Sequence, residues 1–185
     1  MRLLLLAAPG GGKGTQGDRL ASHFGVEHIS SGDVLRAAAG DGTPAGGEVA
    51  VYQRRGDLVP DQMVLDLLVP VVVAAAARGG FILDGFPRTL PQAKTAAEIG
   101  VRLDLTLDAA IYLHVPESVL VERLLARARP DDTPDVIRHR LQVFANAARP
   151  LIDYYRNRGI LVEVNADQPP EAITDDIVAR LPIGR

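Results

Sequence analysis

The stretch Ala7-Ala8-Pro9-Gly10-Gly11-Gly12-Lys13-Gly14-Thr15-Gln16 decides how this chain folds. Before it lies an apolar run of strand length, Arg2–Ala7. After it, Lys13–Phe24 places Leu20, Ala21 and Phe24 on one helical face. A glycine-rich turn from strand to helix lets successive backbone N–H groups curl around an anion, and the helix N-terminus adds its dipole. Lysine usage points the same way. The only lysines are Lys13 and Lys94, and arginine supplies the remaining positive charge. A chain that avoids lysine has placed one inside a glycine run, where a compact ammonium fits and a planar guanidinium does not. The stretch departs twice from the general phosphate-loop pattern G-x-x-x-x-G-K-[ST]: Ala7 stands for the first glycine, and Gly14 separates Lys13 from Thr15. A methyl at position 7 is compatible with the loop when φ there is negative, so an extended Ala7 and an open phosphate cradle are expected.

Outward from the loop, apolar runs of strand length alternate with amphipathic stretches of helix length, which predicts an α/β fold. Strands are expected at Arg2–Ala7, Glu27–Ile29, Phe81–Asp84, Ala109–Val115 and Ile160–Asn165. Helices are expected at Lys13–Phe24, Ser31–Ala39, around Gly46–Arg54, and at Asp61–Ala77, Pro116–Arg127, Thr133–Arg156 and Pro169–Leu181. The predicted architecture is a P-loop doubly wound five-stranded parallel sheet with helices on both faces. Residues 30–60 and 127–135, richer in Gly, Pro and charge, read as excursions from it.

The chain's 185 residues suit a single domain. A net charge of −3 gives no footprint for nucleic acid or a membrane surface. The absence of cysteine excludes disulfides and thiolate metal sites. Met1–Ala8 lacks the length and cleavage site of a signal peptide, and Val64–Ala77 is too short to span a bilayer. A cytoplasmic protein is the expectation.

Four further stretches carry chemistry. Ile29-Ser30-Ser31-Gly32-Asp33-Val34-Leu35-Arg36 offers hydroxyls, an acid and an arginine at a strand-to-helix junction, though Ser31 and Asp33 also read as an ordinary helix start. Gly56-Asp57-Leu58-Val59-Pro60 reads as a turn before a helix. In Gly80-Phe81-Ile82-Leu83-Asp84-Gly85-Phe86-Pro87-Arg88-Thr89-Leu90-Pro91-Gln92, Asp84 ends a strand, beside the phosphate loop in a parallel sheet. Arg88 can grip a phosphate as a bidentate fork, and Gln92 lies one helical turn beyond it. Finally, Arg123 and Arg127 share a helix face, while Arg129 and Arg140 flank Pro130-Asp131-Asp132. Surface arginines paired with nearby acids are the ordinary alternative, and the preferred one for Arg138. His23, His28, His114 and His139 form no ligand spacing and read as structural or solvated.

G-K-G-T-Q and D-G-F-P-R-T-x-x-Q resemble the adenylate kinases and related nucleoside-monophosphate kinases, and the resemblance runs in order along essentially the whole chain. It implies a core (1–29, 60–126 and 136–185), a monophosphate-binding segment (30–59) and a very short lid (127–135). It implies ATP binding by Pro9, Gly10, Gly11, Gly12, Lys13, Gly14, Thr15, Arg123, Arg127 and Gln168. AMP binding falls to Ser31, Arg36, Leu58, Val59, Gly85, Arg88, Gln92, Arg129 and Arg140. The catalytic set would be Lys13, Asp84, Arg88, Arg123, Arg129 and Arg140. Mg²⁺ would enter with ATP, reached from Asp84 through water. Many relatives carry a longer lid, sometimes with four zinc ligands; the short, cysteine-free lid excludes zinc here. The expected partners are ATP, AMP and ADP, with no nucleic acid or membrane, and the expected state is a monomer. Thr89 with Gln92 favours adenylate over pyrimidine acceptors. A GTP:AMP or UMP/CMP kinase, a P-loop switch protein and a weakly active nucleotide-binding relative stay open as alternatives.

Overall fold

The structure, a computed structural model, describes residues 1–55, 57–127 and 133–181, and for Arg127 the backbone alone. Strands β1 (Arg2–Leu6), β2 (Glu27–Ser30), β3 (Phe81–Asp84), β4 (Ala109–His114) and β5 (Leu161–Asn165) form one parallel sheet in the order β2-β3-β1-β4-β5. Between and after them run α1 (Lys13–Phe24), α2 (Ser31–Ala39), α3 (Pro44–Arg55), α4 (Asp61–Ala77), α5 (Leu90–Arg102), α6 (Glu117–Arg127), α7 (Pro134–Asn157) and α8 (Pro170–Arg180).

The leucine run at the N-terminus is continuous because β1 is central and buried on both faces. Its side chains alternate between two cores. Leu4 and Leu6 join Phe81, Leu83, Leu151 and Tyr155 on the face covered by α4, α5 and α7. Leu3 and Leu5 join Ile82, Ile111, Leu20 and Ile177 on the face covered by α1 and α8. Leu3 and Leu4 are wholly buried, so truncating either to alanine should cost about 2–5 kcal/mol.

Element boundaries move slightly from those predicted. β1 stops at Leu6, β2 gains Ser30 through its pairing with Asp84, and α3 starts at Pro44 with the Thr43 hydroxyl accepting from Gly46 N–H at 3.0 Å. The register sets Leu5, Asp84 and Ser30 side by side at the C-terminal edge of the sheet. That edge, where successive strands lie on opposite sides of β1, is where parallel sheets bind ligands. Among the described residues no helix is long and apolar enough to cross a membrane.

Candidate active site

The β1–α1 loop keeps an open cradle. Gly10 and Gly12 have φ of 80° and 87°, a region other residues rarely adopt. A side chain on Gly10 would also meet Leu124 Cγ at 2.9 Å, whereas positions 12 and 14 face open space. Lys13 Nζ donates to Ala7 O at 2.8 Å and Ala8 O at 3.0 Å, which holds the ammonium over the loop. Asp104 is the one described non-glycine residue at positive φ, so Ala7 takes no left-handed conformation. Its methyl fills the space beneath Gly11, where an added Cβ would lie 2.7 Å from Ala7 Cβ.

Asp84 closes the floor of the site, buried at the end of β3. Its Oδ2 is 2.7 Å from His28 Nε2, and His28 Nδ1 is 2.7 Å from Asp18 Oδ1. The hydrogen bond to Asp84 raises the His28 pKa, burial opposes it, and Asp18 adds to the rise. Gly17 makes this chain possible, since a Cβ there would lie 2.3 Å from the imidazole. Sequence reasoning set His28 aside because its partners are brought in by β2–β3 pairing and by α1, not by spacing along the chain.

The acceptor side is built on α2 and on the loop after β3. The Ser30 hydroxyl caps α2 by accepting from Asp33 N–H at 3.4 Å. Ser31, rather than serving as the cap, is buried inside the first turn, and its Oγ has no hydrogen-bond partner. An orphaned buried hydroxyl on a cleft wall requires explanation, and a ligand supplies one. Gly85, at φ 79°, passes so close that a Cβ would lie 2.4 Å from Ser31 Oγ. Arg36 pairs with Asp33, and Arg88 Nε donates to Gly85 O at 2.6 Å. Arg88 opens onto solvent through the cleft, yet the protein around it pushes its guanidinium below its ordinary pKa. Arg140 and Arg36 add to that push and Asp84 opposes it. Like charges gathered in this way make a site that favours an anion. Gln92 is buried beside them, and Leu58 and Val59 complete the wall. His139 Nε2 lies 3.6 Å from Asp57 Oδ1, linking α7 to the end of the 30–59 segment.

At the other end, Arg123 Nη2 donates to Ala166 O at 3.1 Å and lies 3.9 Å from Asp167. Gln168 Nε2 donates to Asn165 O at 2.7 Å. Gln16 ties this loop to α1: its Nε2 donates to Pro170 O at 2.9 Å and its Oε1 accepts from the Thr174 hydroxyl at 2.8 Å. Arg138 sits outside the site, exposed and paired with Asp135 at 3.0 Å. Gly56, Arg129 and the side chain of Arg127 lie outside the described residues, as does most of the 127–135 stretch.

Lys13, Asp84, Ser31, Arg36, Arg88, Gln92, Arg123, Arg140 and Gln168 all line one cleft of about 1110 Å³. A single small-molecule site usually occupies about 300–1,000 Å³, so this cleft lies at the large end for ligand sites. Val143 and Phe144 of α7 also line it. Nothing in the sequence marked them, because they are spaced like any apolar helix face. A phosphate loop at one end and a cluster of guanidiniums at the other define the class: a P-loop phosphotransferase whose acceptor also carries a phosphate.

Comparison with known proteins gives the particular family. The model of the family described as Adenylate kinase matches residues 5–160. The chain is 43% identical over 180 residues to Adenylate kinase 1 of Nostoc sp., covering 97% of this chain and 98% of that one. It is 44% identical over 181 residues to the adenylate kinase of Leptospira biflexa, covering 96% and 97%. To Adenylate kinase 1 of Synechocystis sp. it is 45% identical over 175 residues, covering 95% and 94%. The chain belongs to the adenylate kinase family.

Proposed function

We propose that this protein is an adenylate kinase that interconverts ATP plus AMP and two ADP, serving adenine-nucleotide balance. The observation that carries the reading is the single cleft joining the Lys13 loop to the Arg36, Arg88 and Arg140 cluster. Pro9–Thr15 would hold the donor phosphates, with Arg123 at the donor base, Arg127 closing over the phosphates and Gln168 also on the ATP side. Ser31, Arg36, Leu58, Val59, Gly85 and Gln92 would hold AMP, with Arg88, Arg129 and Arg140 reaching its phosphate. We further propose that the protein acts as a cytoplasmic monomer, and that segments 30–59 and 127–135 close over the core (1–29, 60–126 and 136–185) to exclude water.

The reaction needs no general base. An oxygen of the AMP phosphate, already ionised at neutral pH, attacks the γ-phosphorus as the bond to the bridging oxygen breaks. The two ADP products share the charge. What the protein supplies is alignment and positive potential on the equatorial oxygens. Lys13 reaches the donor phosphates from one side, and Arg88 and Arg140 reach the acceptor from the other. Asp84 and the Thr15 hydroxyl, both on the cleft wall, fit the water shell of Mg²⁺, which would neutralise donor-phosphate charge when bound with ATP. A coupled assay for ADP from Mg-ATP plus AMP, run beside GTP as donor and UMP, CMP or GMP as acceptors, tests the reading. The strongest signal should come from ATP with AMP. Equal or greater turnover with another pair, or none with any, would overturn it.

A further inference from the structure

The buried Gln92 amide is held at both ends by groups whose hydrogen-bond direction is fixed by chemistry. Its Oε1 accepts from Arg88 N–H at 2.6 Å, and its Nε2 donates to Asp61 Oδ1 at 2.7 Å. A backbone N–H can only donate, and an ionised carboxylate can only accept. The two anchors therefore agree, and the amide has one orientation. A primary amide has two N–H donors and two acceptor lone pairs, so one donor and one acceptor remain for the cleft that Gln92 lines. Asp61 begins α4 and is not among the residues lining the cleft. Its described hydrogen bond to the site is the one to Gln92.

We infer that Asp61 is a positioning residue for acceptor-base selection, fixing the Gln92 amide so that it matches adenine and opposes hypoxanthine. The inference rests on the proposed adenylate kinase reading, in which Gln92 meets the acceptor base. Adenine presents an amino donor at N6 beside the N1 acceptor, which the free oxygen and free N–H of the held amide match. Hypoxanthine has the same purine shape with both roles reversed, an O6 acceptor beside an N1–H donor. Against a fixed amide it sets oxygen on oxygen and N–H on N–H, leaving buried polar groups unpaired. Without Asp61 the amide keeps one anchor and can swing about it.

Steady-state kinetics with AMP and IMP as acceptors, at saturating Mg-ATP, test this in wild type, Asp61→Ala, Asp61→Asn and Gln92→Ala. Asp61→Ala should lower kcat/KM for AMP about tenfold and leave IMP within about twofold, narrowing the preference for AMP. Asp61→Asn, whose Oδ1 still accepts, should keep the wild-type ratio even though it loses the acidic charge at the start of α4. Adding Asp61→Ala to Gln92→Ala should produce no further narrowing. Should the alanine variant fail to fold, Asp61→Ser, which also starts a helix well but whose hydroxyl falls short of Gln92, carries the same expectation. An AMP/IMP ratio unmoved by loss of Asp61, while Gln92→Ala collapses it, would overturn the inference and leave the base reading intact. A ratio unmoved by Gln92→Ala would remove the base reading and the inference together.

Discussion

Positions 7 and 11 share room for one methyl, which predicts a specific double-mutant cycle. Gly11 has no left-handed φ, so Gly11→Ala introduces no backbone strain of the kind expected at Gly10 or Gly12. The new Cβ would instead lie 2.7 Å from Ala7 Cβ and 3.0 Å from Ala8 O. Carbon atoms pack comfortably at about 3.5–4.0 Å, so the loop has to move by the better part of an ångström. Overpacking of that kind costs about 1–3 kcal/mol. Ala8 O is also one of the two carbonyls holding Lys13, so the movement reaches the ammonium directly. Gly11→Ala should therefore weaken ATP binding by roughly ten- to a hundredfold and lower the melting temperature. Ala7→Gly alone should change ATP affinity by less than about tenfold, or 1.4 kcal/mol. Ala7→Gly with Gly11→Ala removes the 2.7 Å contact and leaves the 3.0 Å contact with Ala8 O, so it should recover part of the lost affinity. Calorimetric titration of ATP into the four proteins, beside thermal melts, reads the coupling. A Gly11→Ala variant that binds ATP like wild type, or a double variant as weak as Gly11→Ala alone, would refute the shared-space argument.

Three other outcomes follow from the site. Lys13→Met should lower turnover by at least about a hundredfold while the melting curve stays near wild type, because the loss is of charge at the phosphates; near-normal turnover removes Lys13 from the mechanism. Gly85→Ala should cost about 1–3 kcal/mol in stability for its φ of 79° alone, and the overlap with Ser31 Oγ should raise the KM for AMP more than that for ATP; equal effects on both nucleotides would separate Gly85 from the acceptor side. For His28, the carboxylates of Asp84 and Asp18 raise the folded pKa above the unfolded value near 6.5, so its stabilisation is complete below that value and fades as pH rises through the folded one. The melting-temperature gap between wild type and His28→Gln should thus be widest near about pH 6 and close toward about pH 9, and a gap constant across that range would show that the charge of His28 contributes nothing.

The sheet was legible because burial on both faces leaves a simple mark. Leu3 to Leu6 all point into one core or the other, so the strand reads as an unbroken apolar run. The phosphate loop was legible because its glycines and its lone lysine answer constraints carried by a few adjacent residues. What stayed hidden depends on residues far apart in the chain. Asp61 and Gln92 are 31 residues apart and His28 and Asp84 are 56 apart, and neither pair has a spacing that marks it. Gln16 was visible in the loop motif, but its tie to Pro170 and Thr174 exists only because α8 folds back beside α1. Ser31 is instructive in another way. Its neighbour Ser30 takes the capping role, which leaves the Ser31 hydroxyl buried and unpartnered on the cleft wall.

The cations of the site are held within the protein by partners weaker than a phosphate. Lys13 is held by the carbonyls of Ala7 and Ala8, Arg88 by that of Gly85, and Arg123 by that of Ala166. A neutral carbonyl binds a cation less strongly than a charged phosphate oxygen does. Exchanging a carbonyl for a phosphate is therefore favourable at each of these positions. Two of the guanidiniums also face carboxylates, Arg36 that of Asp33 and Arg123 that of Asp167 at 3.9 Å. Both pairs are open to solvent, where such ion pairs contribute only about 0–1 kcal/mol, so they compete weakly with a dianionic phosphate. The described partners of Arg36, Arg88 and Arg123 are backbone carbonyls and solvent-exposed carboxylates, which a phosphate can displace. In the proposed reaction, whose catalysis would consist of placing positive charge, partners that a phosphate displaces would make Arg36, Arg88 and Arg123 available to the nucleotides.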